Sequence, residues 1–220
     1  MPDRLAFFDF DGTLVTSNVV HQYVWYARRK GDWGRLLSLG LAVPLLKAAD
    51  LKSRELFNRL FYRHYRGLSE DWLRAESKSL VDGYLSTHMF PEVPALLART
   101  EAEGFANVLV SGSLDISVEP FARRHAFAKY VSNKLEFERG IATGRLLPPV
   151  LAGAEKVEAI RAIAAGYNVS LDDCRAYSDD EADLPMLEAV GHPVATNPKP
   201  GLLRQARERN WPVIQMAKPA

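Results

Sequence analysis

The hydrophobic pattern of the chain changes character twice. Residues 4–10 place Leu, Ala and two Phe in succession before Asp9 and Phe10, a continuous apolar run that predicts a buried strand. From residue 16 to 88 no strand alternation appears. The segments Trp25–Lys30, Leu36–Leu46, Leu51–Tyr65 and Asp71–Leu85 carry apolar residues at helical spacing, as in Leu56, Leu60 and Phe61. An all-helical block is expected there, with breaks near Gly31, Pro44 and Gly67. Within it, Leu36–Leu46 is expected to be a buried helix, with a lipid-facing or dimer surface as the alternative.

After residue 90 short strands alternate with helices. A helix over Pro91–Glu103 closes at Gly104, and Asn107–Val110 forms a strand ending in Ser111-Gly112-Ser113. A helix over Leu114–His125 follows. Tyr130–Phe137 and Ile141–Leu147 flank Glu138-Arg139-Gly140 and predict a hairpin. Glu155–Ala165 is helix, Cys174–Tyr177 strand, and Leu184–Val190 helix. Short strands at Pro193–Thr196 and Val213–Gln215 enclose a helix near residues 200–209. Such alternation specifies an α/β fold, a doubly wound parallel sheet with helices on both faces. The helical block interrupts this order after the first strand and is an insertion. The expected division is a core of residues 1–15 and 89–220 and a helical domain of residues 16–88.

Composition narrows the function. The 220 residues carry 28 Lys and Arg against 27 Asp and Glu, a net charge of +1, so no polybasic surface points to nucleic acid. The single Cys174 cannot form an internal disulfide and is expected to be a small buried hydrophobe. No Cys or His spacing suits structural zinc. The N-terminus lacks a signal-peptide pattern, and Leu36–Leu46 is too short to span a bilayer. A cytoplasmic protein, monomer or homodimer, without stable membrane insertion is expected. Residues 16–88 hold 12 basic against 7 acidic residues, which suits solvated helix faces or, alternatively, a lid that attracts anions toward an acidic metal site.

Ligands of open α/β sheets bind beyond the carboxyl ends of the strands. There the sequence places Asp9-Phe10-Asp11-Gly12-Thr13, Ser111-Gly112-Ser113, and Ser178-Asp179-Asp180 with Asp183 following; Lys156 opens another helix. Asp9 and Asp11, two apart on extended backbone, face one spot. Two like charges at that range call for a cation. With Asp179 added, the all-oxygen set suits Mg²⁺, which often shares a substrate phosphate. An EF-hand is excluded because Gly12 comes at the fourth rather than the sixth position of the loop.

Phe8-Asp9-Phe10-Asp11-Gly12-Thr13-Leu14 resembles the first motif of the haloacid dehalogenase superfamily of phosphatases. Ser111-Gly112-Ser113 resembles the second, Lys156 stands where the third is expected, and Ser178 to Asp183 resembles the fourth. The insertion after the first motif resembles the cap of the phosphoserine phosphatase-like branch. The resemblance implies a Rossmann-like core with a helical cap and a Mg²⁺-dependent phosphomonoester hydrolase. Asp9 would be the nucleophile that forms an aspartyl phosphate, and Asp11 the general acid and base. Lys156 would neutralise the nucleophile and the phosphate. Ser111 and Gly112 would bind phosphoryl oxygens. The metal would be held by Asp9, Asp11 through its carbonyl, and Asp179, with Asp183 orienting metal-bound water.

The match departs from phosphoserine phosphatases in three places. Ser178 and Asp180 flank Asp179 where small residues are usual, Ala182 replaces an Asn, and Asn18 stands where an acidic cap residue holds the substrate amine. Asn18 is therefore a candidate substrate-binding residue. A small phosphorylated substrate of the histidinol phosphate or phosphoserine type is expected; the aromatic cluster Tyr23, Trp25, Tyr26 and Trp33 is expected to pack the cap, with stacking of a substrate imidazole on Tyr23 or Trp25 as the alternative. A lysophospholipid phosphate phosphatase, a phosphotransferase using the same intermediate, and a receiver-type phosphoacceptor domain are the alternatives.

Overall fold

A computed structural model describes residues 3–219. Its centre is β1 (Arg4–Phe8), in which every side chain after Arg4 is buried. Strand β1 pairs with β2 (Phe105–Leu114) on one side and β6 (Arg175–Ser178) on the other. The parallel sheet is completed by β3 (Lys129–Asn133), β7 (His192–Thr196) and β8 (Val213–Ile214), in the order β3-β2-β1-β6-β7-β8. Parallel strands buried on both faces require continuous apolar runs, which Leu5-Ala6-Phe7-Phe8 and Val108-Leu109-Val110 supply. Two apolar clusters lie on opposite faces of the sheet. Phe8 and Phe10 belong to one, Leu5 and Phe7 to the other. Cys174 is buried in the second, its thiol donating to the Ser170 carbonyl.

Helices α5 (Val93–Ala102), α6 (Asp115–Arg124), α7 (Ala154–Tyr167), α8 (Leu184–Glu188) and α9 (Pro200–Glu208) connect the strands. Between β1 and α5 lie α1 (Val19–Lys30), α2 (Trp33–Lys52), α3 (Arg54–Phe61) and α4 (Glu70–Ser79). Asn18 caps α1 by accepting from the backbone N–H of Val20 and His21, a favoured role for Asn. Gly31 ends the helix at φ 70°, a left-handed geometry that Gly adopts without a side-chain penalty.

Three expectations are corrected. The break near Pro44 does not occur, and α2 runs through it for 20 residues. Proline removes one main-chain donor, but the carbonyl four residues back belongs to exposed Gly40 and is open to water. Leu36–Leu46 is not a buried helix, because only Leu39 and Leu46 of its large residues are buried while Leu37, Leu41 and Leu45 are exposed. The hairpin divides differently. Lys129–Asn133 joins the main sheet beside β2, and only β4 (Leu135–Glu138) pairs antiparallel with β5 (Ile141–Leu146). Among the described residues no helix is long and apolar enough to cross a membrane.

Candidate active site

The carboxyl ends of the three central strands β2, β1 and β6 converge, and each contributes one predicted motif. The Asp9 backbone N–H extends the β1–β6 ladder by donating to the Tyr177 carbonyl at 2.9 Å, which fixes the residue at the sheet edge. Its side chain is only 6% exposed. One carboxylate oxygen accepts from Lys156 Nζ at 2.7 Å, and the other lies 3.4 Å from the buried Thr13 hydroxyl. Thr13 is equally close, at 3.4 Å, to an oxygen of Asp179. Gly12, between the two Asp residues and Thr13, adopts φ +85°, and a Cβ there would collide with the Asp179 carboxylate. Glycine is thus required both by the turn and by the approach of β6.

Lys156, in the first turn of α7, is buried and bridges Asp9 and Asp183 at 2.7 Å each. Asp183 also accepts from the Ser178 hydroxyl at 2.8 Å. A buried ammonium held by two carboxylates keeps its charge. Burial favours neutral Lys156, but Asp183 and Asp9 outweigh it and raise its pKa. Burial raises the pKa of Asp9, with Asp183 and Asp179 adding to the shift and Lys156 opposing it. Burial also pushes Asp11 up to about 7, against the hydrogen bond from Ser113. An acid with that pKa can hold and release a proton near neutrality.

Asp11 turns away from Asp9 toward the helical insertion. Gln22 Nε2 donates to one of its oxygens at 3.0 Å and the Ser113 hydroxyl donates to the other. Gln22 is itself fixed, because its carbonyl oxygen accepts from Ser117 at 2.8 Å. Ser111 is fully buried and its hydroxyl oxygen accepts from the Ser113 N–H at 2.9 Å. Gly112 lines the cleft, and its carbonyl accepts from Tyr62 and Asn133. Asp180 accepts from Lys199 at 2.6 Å and from Arg54 at 2.9 Å. This is a junction between the insertion and the core, and it raises the acidity of Asp180 despite burial.

The cleft encloses about 520 Å³, room for a small ligand. Asp9, Asp11, Asp50, Asp179, Asp180 and Asp183 line it against Arg54, Lys156 and Lys199. Asp9, Asp179 and Asp183 among them are buried; buried carboxylates crowded together are costly without a cation or proton, and hard oxygen donors of this kind fit Mg²⁺. Among the described residues no three acidic, His or Cys side chains converge on one point. The expected ligands Asp9, Asp11, Asp179 and Asp183 therefore do not form a closed side-chain cage. Both Asp11 oxygens are taken by Gln22 and Ser113, and Asp183 is held by Lys156 and Ser178. Asp9, held through one oxygen by Lys156, and Asp179, one oxygen of which lies 3.0 Å from Lys199 Nζ, each keep a second oxygen for an ion that keeps water and takes main-chain oxygen.

One further expectation shifts, and the stacking alternative is set aside. The Asn18 side-chain oxygen is engaged in capping, although the residue lines the cleft. Tyr23 is fully buried among Phe61 and Tyr65. Neither it nor Trp25 lines the cleft, where Phe57 is the aromatic residue. Gln22, Arg54, Asn58 and Lys199 were not anticipated as site residues. Lys199 follows β7 at the same sheet edge as the acidic motifs, so the rule that led to Asp179 also reaches it. The other three depend on how the inserted helices dock.

The chain is similar to several known proteins. A phosphoserine phosphatase of Mycobacterium tuberculosis is 41% identical over 213 residues, covering 94% of this chain and 69% of its own. The histidinol-phosphatase of Neisseria meningitidis serogroup C is 24% identical over 241 residues, covering 96% of this chain and 98% of its own. The crystal structure of a Bordetella pertussis protein of unknown function superposes with a TM-score of 0.84 at 25% identity, covering 97% of this chain and 99% of that one. The family model for haloacid dehalogenase-like hydrolases matches residues 6–188, from the strand that carries Asp9 through the helix after Asp183. On that match the chain belongs to the haloacid dehalogenase-like hydrolase family.

Proposed function

We propose that the protein is a Mg²⁺-dependent phosphomonoesterase that works through an aspartyl phosphate at Asp9. The observation that carries this reading is the buried Asp9–Lys156–Asp183 bridge beside the Asp11–Ser113–Gln22 cluster. One carboxylate oxygen of Asp9 is pinned by Lys156, and the other is free to attack phosphorus. As the new O–P bond forms, the ester O–P bond breaks and Asp11 passes its proton to the departing oxygen. Asp11 then takes a proton from water as that water attacks phosphorus, and Asp9 is released. Lys156 offsets negative charge on the nucleophile. The Gly112 N–H and the Ser111 hydroxyl would bind phosphoryl oxygens. Mg²⁺ held by Asp9 and Asp179 would screen the repulsion between carboxylate and phosphate.

In this reading residues 16–88 form a cap over a core of residues 1–15 and 89–220, and the cap excludes water during turnover. Arg54, Phe57 and Asn58 of α3 reach the cleft, so the cap shapes the leaving-group side. An amino-alcohol phosphate is the substrate class this reading favours. Both named relatives act on substrates of this kind. The absence of an acidic residue at Asn18 ranks histidinol phosphate ahead of phosphoserine, with Phe57 rather than Tyr23 or Trp25 offered to the ring.

The test is kcat/KM on histidinol phosphate, phosphoserine, glycerol phosphate and a lysophosphatidate, with Mg²⁺ and after chelation. Hydrolysis that requires Mg²⁺ and favours an amino-alcohol phosphate supports the reading. Full activity after exhaustive chelation overturns the metal, and preference for phosphoserine by about tenfold, or ~1.4 kcal/mol of transition-state binding, overturns the ranking.

A further inference from the structure

We propose that the solvent face of α2 docks the protein on an anionic lipid bilayer surface, the helix lying in the plane of the interface. Helix α2 packs into the insertion through Leu39, Leu46 and Ala49. Its opposite side is apolar and uncovered. Trp33, Leu37, Leu41 and Leu45 recur at every fourth position with exposures of 73%, 67%, 76% and 61%, and Leu51 is 92% exposed. Four-residue steps advance only about 40° around a helix of 3.6 residues per turn, so these side chains form one stripe. Pro44 and Ala48 lie within it and are also exposed. From Trp33 to Leu51 the stripe extends roughly 27 Å at 1.5 Å per residue. Single exposed apolar residues are ordinary, but a contiguous apolar face of this length marks a binding surface.

The charge around the stripe selects its occupant. Lys47 and Lys52 are exposed on the same helix, and among the described residues neither has an acidic side chain at ion-pair distance. Arg28 and Lys30 precede the helix and are exposed, while Arg29 between them is paired with Glu76. Residues 28–66 contain ten basic and only three acidic residues. Each of the three is already paired with an arginine, Asp32 with Arg35, Asp50 with Arg54 and Glu55 with Arg59. The uncompensated charge along the stripe is therefore positive. A second copy laid on this face would bring basic rim against basic rim. An anionic bilayer satisfies both features, because leucines and a tryptophan enter the headgroup boundary while lysines and arginines meet lipid phosphates. Its charges make α2 a surface helix rather than a span. Asp50, in its last turn, also lines the active-site cleft, so docking would bring the mouth of that cleft close to the interface.

The test is cosedimentation of the full chain with vesicles of equal parts phosphatidylcholine and phosphatidylglycerol, compared with vesicles of phosphatidylcholine alone. The expected result is binding to the anionic vesicles that weakens with salt. Leu37→Ser combined with Leu41→Ser should lower partition at least about tenfold, from the apolar area withdrawn. Lys47→Glu combined with Lys52→Glu should lower it by about tenfold or more on anionic vesicles. Both double variants should keep the helical circular dichroism and aryl phosphate turnover of the parent, since none of the four residues touches the cleft. Absence of vesicle binding by the parent overturns the proposal, as does equal binding to neutral vesicles. A parent dimer in analytical ultracentrifugation that the leucine variant converts to monomer, without vesicle binding, assigns the face to self-association instead.

Discussion

Replacing Gln22 by Ala tests the link between the inserted helices and the acid–base residue. Gln22 is 3% exposed. It donates at 3.0 Å to the Asp11 oxygen that Ser113 leaves unbound. Removal leaves Ser113 as the one side-chain donor to Asp11, so the carboxyl can rotate away from the leaving oxygen. Ser117 retains a second acceptor, the Leu114 carbonyl at 3.1 Å, so the loss falls chiefly on Asp11. A hydrogen bond to a charged group contributes about 1.5–3 kcal/mol. At ~1.4 kcal/mol per decade, kcat/KM on an alkyl phosphate should fall roughly 10- to 100-fold. Because kcat/KM covers events through the first irreversible step, it isolates the protonation of the leaving group. A dinitrophenyl phosphate, whose leaving group needs no proton, should lose less than about threefold in kcat/KM by the same reasoning. Stopped-assay kinetics on both substrates, with circular dichroism to confirm folding, provides the comparison. Equal losses on the two substrates, or no loss on the alkyl ester, would refute the positioning of Asp11 by Gln22.

Three further outcomes are expected. Asp9→Asn should abolish turnover while the Lys156–Asp183 pair preserves the fold, as measured by phosphate release and thermal unfolding. Burial raises the Asp11 pKa from 3.8 to about 7, so the folded state binds a proton more tightly than the unfolded chain. The resulting stability is complete below about pH 4 and is lost as pH rises through about 7. Calorimetry of metal-free protein should show this decline, Asp11→Asn should lessen it while the raised Asp9 pKa sustains the remainder, and a Tm that rises across this window in the parent would contradict it. Phe57→Ala should lower kcat/KM for histidinol phosphate by about three- to tenfold relative to phosphoserine, from loss of an aromatic contact; an equal effect on both would remove Phe57 from ring recognition.

The core was legible because its signals are local. An apolar run that ends in Asp9 and Asp11, or in Ser111-Gly112-Ser113, marks both a buried strand and its carboxyl end, and the parallel topology then brings those ends together. The inserted helices were legible as helices but not in their orientation. Leu36–Leu46 reads as buried because hydropathy carries no direction, and only the packing of Leu39 and Leu46 shows which side of α2 faces inward. Only Asn133 and Lys134, with no Gly or Pro, separate Ser132 from Leu135, so the departure of the chain from β3 into β4 carried no strong turn signal. Gln22, Arg54 and Asn58 share this limit. Their polar side chains look like solvated helix residues until the helices dock on β1 and β2. Stacking on Tyr23 stood as an alternative for the converse reason, since an aromatic cluster that fills the interior of the insertion has the same composition as one that lines a ligand site.

The central claim is that Asp9 becomes covalently phosphorylated. Acid-quenching the enzyme during turnover of a phosphomonoester, followed by peptide mapping by mass spectrometry, tests it most directly. The account predicts one phosphoryl group on the peptide containing Asp9, present with Mg²⁺, absent after chelation and absent in Asp9→Asn. An unmodified Asp9 peptide during rapid turnover, with activity surviving in Asp9→Asn, would contradict it.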